Sequence, residues 1–295
     1  MREIVIISGK GGTGKTTVCA AFAHLMQGGL LCDLDVDVPD LHIISAPQQL
    51  GEHAFISGQE AVIDNTRCTA CKSCMTACRF GAVLDEAGAC RISSLYCEGC
   101  GLCAALCPEA AITMRNRHCG TWFESQCRFG PMFHAQLFPG EENSGRLVAL
   151  LRQKAREYAK NRELDLILCD GAPGVGCQVI SSLSGAHLAV AVVEPTPSGR
   201  HDFMRVGQLC EHFHIPVCVI INKADLNRQE SAALRAWCEQ RHYELAGEIP
   251  FHQDIITAMI QKKAVTETAS PLAGHLVQAW SVIRDRARAT PRFRL

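Results

Sequence analysis

Eight cysteines, arranged as two matched runs, constrain this chain of 295 residues more than any other feature. The runs read Cys68-x2-Cys71-x2-Cys74-x3-Cys78 and Cys97-x2-Cys100-x2-Cys103-x3-Cys107-Pro108. With this spacing, three closely spaced thiolates bind one [4Fe–4S] cluster and the fourth cysteine binds a second cluster. Zinc ribbons are the alternative, but C-x2-C pairs alone would satisfy zinc and leave the other cysteines without a role. The pattern therefore predicts two iron–sulfur clusters.

The segment from residue 60 to 115, which holds both runs, resembles a bacterial ferredoxin with two clusters. In that family each cluster takes three cysteines from one run and the fourth from the other run. The resemblance implies two ligand sets, Cys68, Cys71, Cys74 and Cys107 for one cluster, and Cys97, Cys100, Cys103 and Cys78 for the other. Arg79 follows the first run where the family usually has proline. Because proline is not a ligand, we expect both clusters to bind.

A glycine-rich segment near the start of the chain predicts a phosphate-binding loop. An apolar run at residues 4–7 and a helical stretch enclose the sequence Gly9-Lys10-Gly11-Gly12-Thr13-Gly14-Lys15-Thr16-Thr17. Strand, loop and helix in this order are the context in which a G-x4-GK[ST] motif binds phosphate through backbone N–H groups and a helix N-terminus. We expect Lys15 to contact the β- and γ-phosphates and Thr16 to ligate Mg²⁺.

The same loop carries a second lysine, Lys10. It therefore resembles the deviant Walker A motif of the superfamily that contains MinD, ParA, Mrp and the nitrogenase iron protein. The resemblance implies an ATP-dependent dimer in which Lys10 contacts the ATP of the partner subunit, while Lys15 acts within its own subunit. A positive charge beside the transferred phosphoryl group stabilises the charge that develops there. We expect either a homodimer or a heterodimer with a related ATPase.

Acidic residues after two apolar strands resemble further motifs of this superfamily. Asp33, Asp35 and Asp37 follow the second strand, in the position of the first switch. The resemblance implies that Asp35 orients the attacking water and that Asp33, or alternatively Asp37, lies near Mg²⁺. Asp170 ends an apolar run as in a Walker B motif, and ligands collect at the carboxyl edge of a parallel sheet. Solvated carboxylates in loops are the alternative for each of these residues.

The end of a later strand, Asn222-Lys-Ala-Asp225, resembles the base-recognition turn of the family. The resemblance implies that Asn222 contacts adenine and that Pro250 packs against the base. Asn-Lys-x-Asp is also the guanine signature of GTPases. The presence of Lys10 and the lack of other GTPase motifs favour ATP over GTP.

Apolar strand-like runs alternate with helical stretches, which predicts a doubly wound α/β fold with a mostly parallel sheet. We expect strands at 3–8, 30–33, 164–169, 187–193, 216–221 and 244–249, and helices at 15–27, 144–160, 177–184, 200–213, 228–241, 253–262 and 271–288. Residues 1–59 and 116–295 are predicted to form a MinD-like P-loop ATPase domain. A two-cluster α+β ferredoxin domain is predicted as an insertion at 60–115. Residues 116–140 are predicted to form a return hairpin that docks the insertion.

Composition excludes several classes of function. A formal net charge of −1 gives no electrostatic basis for binding nucleic acid or an anionic membrane. The sequence shows no signal-peptide pattern, and no apolar stretch approaches the ~18 residues of a membrane helix. Eighteen cysteines without a secretory signal indicate a reducing cytoplasm and metal binding rather than disulfides. We therefore expect a cytoplasmic protein without stable membrane insertion.

Ten further cysteines lie outside the two runs, mostly in apolar segments where cysteine is a small core residue. Cys177 follows the second switch, where a cysteine of the nitrogenase iron protein helps to bridge a cluster between subunits. That arrangement needs a second cysteine near Asn143-Ser144, and this sequence has none there. Cys119 and Cys127 are candidate ligands of an additional metal. The roles of these three cysteines are left open.

The C-terminal segment at 284–295 is basic. Pro291 would interrupt a helix there, and only Phe293 and Leu295 offer apolar anchors. We therefore expect the end of a surface helix rather than a membrane-binding helix.

Two more segments, Glu194-Pro-Thr-Pro-Ser-Gly-Arg-His-Asp202 and Pro139-Gly-Glu-Glu-Asn-Ser-Gly-Arg-Leu-Val148, resemble MinD-type ATPases with an inserted ferredoxin. The resemblance then covers nearly the whole chain. It implies ATP, Mg²⁺, two [4Fe–4S] clusters and a redox or metal-cofactor partner protein. Our hypothesis is an ATP-hydrolysing dimer switch coupled to electron transfer. The alternative is an ATP-controlled scaffold or assembly protein with structural or sensory clusters.

Overall fold

We describe residues 1–290 of a computed structural model of the chain. The features predicted for Pro291, Phe293 and Leu295 lie outside the described residues. Within residues 1–290, no helix has the length and hydropathy that crossing a membrane requires.

The described chain alternates strands and helices from its first residues. The strands are β1 (Arg2–Ser8), β2 (Leu30–Asp33), β3 (Gln48–Ile63), β4 (Val83–Glu86), β5 (Ala89–Ile92), β6 (Ile112–Cys127), β7 (Gly130–Leu137), β8 (Leu166–Pro173), β9 (Leu188–Val193), β10 (Val217–Asn222) and β11 (Glu244–Ile249). The helices are α1 (Lys15–Met26), α2 (Leu41–Ser45), α3 (Ser73–Ala77), α4 (Leu102–Ala105), α5 (Ser144–Asn161), α6 (Cys177–Leu183), α7 (Pro197–His212), α8 (Arg228–Gln240), α9 (Asp254–Ile260) and α10 (Leu272–Ala289), with a 3₁₀ turn at Val265–Glu267.

One sheet has the strand order β11-β10-β9-β1-β8-β2-β7-β6-β3. The pairs from β11 to β7 are all parallel. Side chains alternate between the two faces of a strand, and β1 shows what covers each face. Ile4 and Ile6 belong to a core with α1 and α10, in which Phe22 stacks on Trp280. Glu3 faces the other way and meets Arg152 of α5. The predicted doubly wound, mostly parallel sheet is therefore confirmed.

The predicted strands and helices are present, with some shifted ends. α7 begins at Pro197 rather than at residue 200, because the Thr196 side chain accepts a hydrogen bond from Gly199 N and caps the helix. Proline is favoured in the first turn, where its missing N–H is not needed. β8 continues to Pro173, past the predicted end at residue 169.

The strands predicted from the sequence do not include β3. Only a few of its sixteen residues are buried, and charged residues and glycines break any apolar alternation. An edge strand needs only one paired side and little burial, so hydrophobic periodicity does not reveal it. The hairpin predicted at 116–140 is present as β6 and β7, but it starts earlier, at Ile112.

The described chain divides into two compact units, and the boundaries fall inside β3, β6 and β7 and directly before α5. The first unit comprises Met1–His53, Trp122–Gln136 and the described residues from Ser144 onward. The second comprises Ala54–Thr121 and Leu137–Asn143. It contains α3, α4 and an antiparallel pair of β4 and β5, around a small core of apolar residues and cysteines. This unit extends beyond the range 60–115 that the cysteine pattern predicts.

A buried ion cluster fastens α5 to the start of β1. The carboxylate of Glu3, 1 % exposed, accepts from Arg152 Nε at 2.5 Å and from Arg156 Nε at 2.8 Å. Arg152 also donates to the backbone carbonyls of Ser181 and Ser184 at the end of α6. The charges of two guanidinium groups are therefore paired with one buried carboxylate.

We expect Glu3→Gln to lower the free energy of unfolding by about 3–5 kcal/mol, because the buried Arg152 would lose its counter-ion. Urea denaturation of the purified variant measures this change. The matched control is Glu157→Gln, since Glu157 pairs with Lys154 at 3.0 Å on an exposed surface. Such a pair contributes about 0–1 kcal/mol. Equal stability losses in the two variants would contradict a stabilising role of the buried cluster.

Candidate functional site

The loop between β1 and α1 has the backbone shape of a phosphate-binding loop. Gly12 and Gly14 have φ angles of 78° and 91°, a left-handed conformation that favours glycine. A Cβ on Gly14 would also lie 2.4 Å from Asn222 Nδ2. α1 begins directly afterwards, so its free N–H groups face the loop. The local fold thus favours glycine at positions 12 and 14.

A cavity of about 880 Å³ opens beside this loop, in the first unit. Among the predicted site residues, its walls include Gly11, Gly12, Gly14, Lys15, Thr16, Thr17 and Asp35. The segment after β2 adds Asp37 and Ile43, and the segment after β8 adds Pro173 and Cys177. Lys10, Thr13, Asp33, Asp170, Asn222 and Pro250 are not among the lining residues. The structure therefore brings three distant segments together at the carboxyl edge of the sheet.

Lys15 is buried at the base of the cavity among carboxylates. Its Nζ lies 2.7 Å from Asp170 Oδ1 and 3.9 Å from Asp35 Oδ2. Burial would lower the pKa of Lys15, but the hydrogen bond to Asp170 and the combined charges of Asp170, Asp33 and Asp35 outweigh it, and the pKa is raised above its usual value. Lys15 is therefore charged at every physiological pH.

Three buried oxygen atoms near Lys15 have no hydrogen-bond partner within the described part of the chain. They are Thr13 Oγ1, Asp33 Oδ2 and Asp170 Oδ2. Burial and the nearby Asp170 charge raise the pKa of Asp33 well above its usual range. Lys15 Nζ donates to the Thr16 hydroxyl at 3.4 Å, which places that hydroxyl in the same region. Hard carboxylate and hydroxyl oxygens are the ligands that Mg²⁺ prefers, so this donor set fits Mg²⁺.

Asp35 lies closer to the open part of the cavity, with 14 % of its side chain exposed. Burial raises its pKa to about 6, although Lys15 acts in the opposite direction. Its backbone N–H donates to Asp33 Oδ1 at 3.2 Å, which ties the two aspartates together. Asp35 is thus the least buried of the carboxylates around Lys15.

Lys10 is held by its own subunit. Its Nζ lies 3.0 Å from Glu194 Oε2 and donates to the hydroxyls of Thr196 and Ser198 at 3.3 and 3.4 Å. The other oxygen of Glu194 lies 2.8 Å from Lys223 Nζ, which also donates to the Gly12 carbonyl. Glu194 therefore forms ion pairs with two lysines, Lys10 within the loop and Lys223 directly after β10. The sequence motif that contains Glu194 gives no indication of this role.

Asn222 supports the loop from behind. Its Nδ2 donates to the Thr13 carbonyl at 2.7 Å, and the residue is 4 % exposed. Asp225 Oδ1 accepts from the backbone N–H of Phe251 at 2.6 Å, which joins the ends of β10 and β11. Pro250 follows β11 directly. The contacts of Asn222 and Pro250 with a base stay predictions, and the structure adds a bracing role for Asn222.

The second unit gathers the eight cysteines of the two runs around two cavities. A cavity of about 380 Å³ is lined by Cys78, Cys97, Cys100 and Cys103. A narrower cavity is lined by Cys68, Cys71, Cys74, Cys107 and a ninth cysteine, Cys90. Within residues 1–290, no group of three or more side chains of metal-ligating type is already arranged as a site for a single ion. Four thiols around a cavity are a donor set that can bind a [4Fe–4S] cube or a single zinc ion.

The two runs share their backbone geometry. The residue before the second cysteine of each run, Ala70 or Gly99, has a left-handed φ angle. The residue after that cysteine, Lys72 or Gly101, has one as well. The backbone N–H groups of Ala82 and Ala111 donate to Cys78 Sγ and Cys107 Sγ at 3.4 and 3.3 Å. Each donor follows its cysteine by four residues. N–H bonds to sulfur stabilise thiolates and tune bound clusters.

Three cysteines outside the runs lie in different surroundings. Cys177 is exposed at the start of α6 and lines the loop cavity. Cys119, in the second unit, is buried and donates to the Ser57 carbonyl at 3.1 Å. Cys127 is buried in the core that contains α1 and α10. Cys119 and Cys127 therefore belong to separate environments, which does not support the additional metal site.

The chain matches the description "CobQ/CobB/MinD/ParA nucleotide binding domain" over residues 4–265. The chain belongs to this family. An uncharacterized protein of Methanocaldococcus jannaschii is 27 % identical over 288 residues, which are 96 % of each chain. The pyruvate synthase subunit PorD of the same organism is 42 % identical over 53 residues, 18 % of this chain and 62 % of that one.

Solved structures share the fold. The septum site-determining protein MinD of Pyrococcus horikoshii, complexed with Mg-ADP, superposes with a TM-score of 0.58 and 16 % identity. The match covers 99 % of each chain. The mostly parallel sheet and its loop are thus those of a nucleotide-binding family.

We expect Asp35→Asn to flatten the pH dependence of stability in the nucleotide-free protein. The pKa of Asp35 is raised to about 6, so between pH 4 and 6 the folded state binds more protons than the unfolded state. Asp35 therefore favours folding most below pH 4, and this contribution falls as the pH rises to 6. The difference is on the order of 1 kcal/mol after allowance for solvent.

Urea denaturation between pH 4.5 and 7 measures the slope in the wild type and in Asp35→Asn. Asp37→Asn removes a carboxylate from the same segment and serves as the control. Parallel curves for the wild type and Asp35→Asn would contradict a raised pKa at Asp35.

Proposed function

We propose that this protein is an ATPase whose ATP-dependent dimer controls electron transfer from two [4Fe–4S] clusters to a partner protein. The observation that carries the proposal is the presence of two built sites in one chain. One is the loop cavity with buried, unpaired oxygens beside Lys15. The other is the pair of cavities, each lined by one predicted set of four cysteines.

The nucleotide chemistry is assigned to residues around the loop. Backbone N–H groups of Gly11 to Thr17 and the start of α1 would bind the phosphates. Thr16, Asp33 and Asp170 would hold Mg²⁺, which supplies positive charge to the phosphate oxygens when bound. Lys15 would exchange its contact with Asp170 for the phosphates. Of the carboxylates next to Lys15, Asp35 is the one partly open to solvent, which suits a group that orients water.

Lys10 is assigned to the partner's nucleotide. Its contacts with Glu194, Thr196 and Ser198 are polar and partly exposed, so they can exchange for a phosphate at moderate cost. The bound Mg-ADP of the P. horikoshii MinD supports an adenine nucleotide for this fold. Asp225 supports the same choice. A GTPase would use this carboxylate to bind guanine, but here it already accepts a hydrogen bond from the backbone N–H of Phe251. The dimer is a homodimer or a heterodimer with a related ATPase.

The second unit is assigned to a two-cluster ferredoxin inserted at residues 60–115 of an ATPase domain made of 1–59 and 116–295. The two cavities, the duplicated backbone geometry and the N–H bonds to sulfur support it. The 53-residue similarity to a pyruvate synthase subunit has nearly the length of this insertion. Bound clusters would supply one-electron transfer at low potential. So many reduced thiols suit a reducing cytoplasm.

Chain connectivity provides a route between the two activities. Ile43 and Ile44 of α2 line the nucleotide cavity. Only Ala46 and Pro47 separate α2 from β3, and β3 continues into the second unit. Movement of the segment after Asp35 when nucleotide binds would therefore act directly on the start of β3. An ATP-controlled scaffold with structural or sensory clusters is the alternative outcome of the tests below.

We expect Lys15→Ala to abolish nucleotide binding and Lys10→Ala to bind ATP without hydrolysing it. Hydrolysis by Lys10→Ala should fall by about 10²-fold or more, since a preorganised charge at the phosphoryl group is lost. Filter binding and phosphate release measure the two steps, and gel filtration with ATP measures the dimer. Lys154→Ala, which changes an exposed lysine of α5, is the control. Normal hydrolysis by Lys10→Ala would refute the trans-acting role.

We expect anaerobically purified protein to contain about eight iron and eight sulfide per chain, from two cubes. Elemental analysis and electron paramagnetic resonance after dithionite reduction check this. Cys71→Ser should lose one cluster and keep ATP binding, because Cys71 and the loop cavity belong to different units. Two zinc ions per chain without a low-potential signal would instead establish zinc ribbons.

We expect Mg·ATP to shift the reduction potential of the clusters by tens of millivolts. A coupling free energy of ~1–3 kcal/mol between sites is typical, and about 59 mV corresponds to a tenfold change for one electron. Redox titrations with and without a non-hydrolysable ATP analogue measure the shift, and ATP affinity of reduced and oxidised protein should change by the same factor. If neither changes and ATP alters only which proteins co-purify, the scaffold function replaces electron transfer.

A further inference from the structure

We propose that Cys90 is a reserve ligand of the cluster site formed by Cys68, Cys71, Cys74 and Cys107, able to replace Cys74. This inference rests on the proposed function, since it takes that site to hold a [4Fe–4S] cluster. Cys90 belongs to neither run, and its distance in sequence from the other cysteines matches no metal-binding motif. Sequence motifs therefore assign it no role.

The fold directs Cys90 into this site. β4 and β5 form an antiparallel hairpin in which Cys90 pairs with Asp85. Its neighbours Ala89 and Arg91 are exposed, whereas Cys90 is 2 % exposed, as expected for the inward face of a strand. The thiol lines the same cavity as the four predicted ligands. Of these four, only Cys74 is buried as Cys90 is, and both belong to the small core of this unit. Five sulfur atoms therefore surround one cavity.

The other cluster site differs in this respect. Its cavity is lined by Cys78, Cys97, Cys100 and Cys103 and by no further cysteine. Val83 and Ile92, from the same hairpin as Cys90, contribute apolar walls there. The duplicated runs thus give two sites with matched backbones, of which only one has an additional thiol. This difference provides an internal control.

The exchange is balanced without an oxidant or reductant. The iron–sulfur bond to Cys74 would break as a bond from Cys90 Sγ to the same iron forms. The proton of the Cys90 thiol would pass to the departing Cys74 thiolate, or to solvent where residue 74 carries no sulfur. The iron keeps four sulfur ligands, and its oxidation state does not change. The site would therefore retain its cluster when Cys74 is lost.

The test compares iron and sulfide content and the paramagnetic resonance of the reduced, full-length protein. We expect Cys74→Ala to keep about eight iron per chain, because Cys90 takes its place, and Cys103→Ala to fall to about four. Cys103 is the third cysteine of its run, as Cys74 is of the other. The double variant Cys74→Ala/Cys90→Ala should also fall to about four. Cys90→Ala alone should keep about eight.

Three results would overturn the inference: about four iron in Cys74→Ala, about eight in the double variant, or loss of a cluster in Cys90→Ala alone. ATP binding by each variant shows that the first unit is folded, and Cys74→Ser repeats the test with a smaller change of shape. A wild type without about eight iron and eight sulfide would refute the proposed function itself. The two failures are therefore distinguishable.

Discussion

The contact between Lys15 and Asp170 organises the nucleotide site. An ammonium group and carboxylates buried at the end of three parallel strands are unfavourable unless they neutralise one another. Lys15 therefore fixes the start of α1 against the end of β8, and Asp33 and Asp35 follow from the neighbouring β2. Asn222 secures the loop from the other side through the Thr13 carbonyl. The cavity forms because buried polar contacts hold each of these segments at the same edge of the sheet.

Much of this arrangement could be predicted from the sequence, because its signals are local. Buried parallel strands are continuous apolar runs, the loop glycines stand at fixed spacing, and the cysteine runs define two sets of four. The edge strand β3 could not be predicted, since its polar sequence has no burial pattern to read. The partner of Lys10 and the position of Cys90 could not be predicted either. Both depend on how the fold brings separate segments together, Lys10 beside Glu194 and Cys90 into the cavity that Cys74 lines.

The two units stabilise their polar groups by different means. In the first unit, the buried charges of Glu3 and Arg152 or of Lys15 and Asp170 pair directly. In the second unit, the core is small and consists partly of cysteines, so few apolar side chains are available to hold it together. Small folds of this kind commonly depend on a bound metal group for stability. If the second unit holds clusters as we propose, ATP binding and cluster loss would act on separate cores.

If Lys10 contacts the partner's nucleotide as we propose, its pairing with Glu194 has a thermodynamic consequence for dimerisation. A lysine that leaves one carboxylate for a phosphate exchanges one partly exposed charge contact for another, so the net free energy of the exchange is small. A dimer assembled through such exchanges is held by a narrow energy difference and separates readily when the phosphate is released. In the proposed dimer, Glu194 would thus make association reversible, because Lys10 can return to an equivalent charge contact within its own chain.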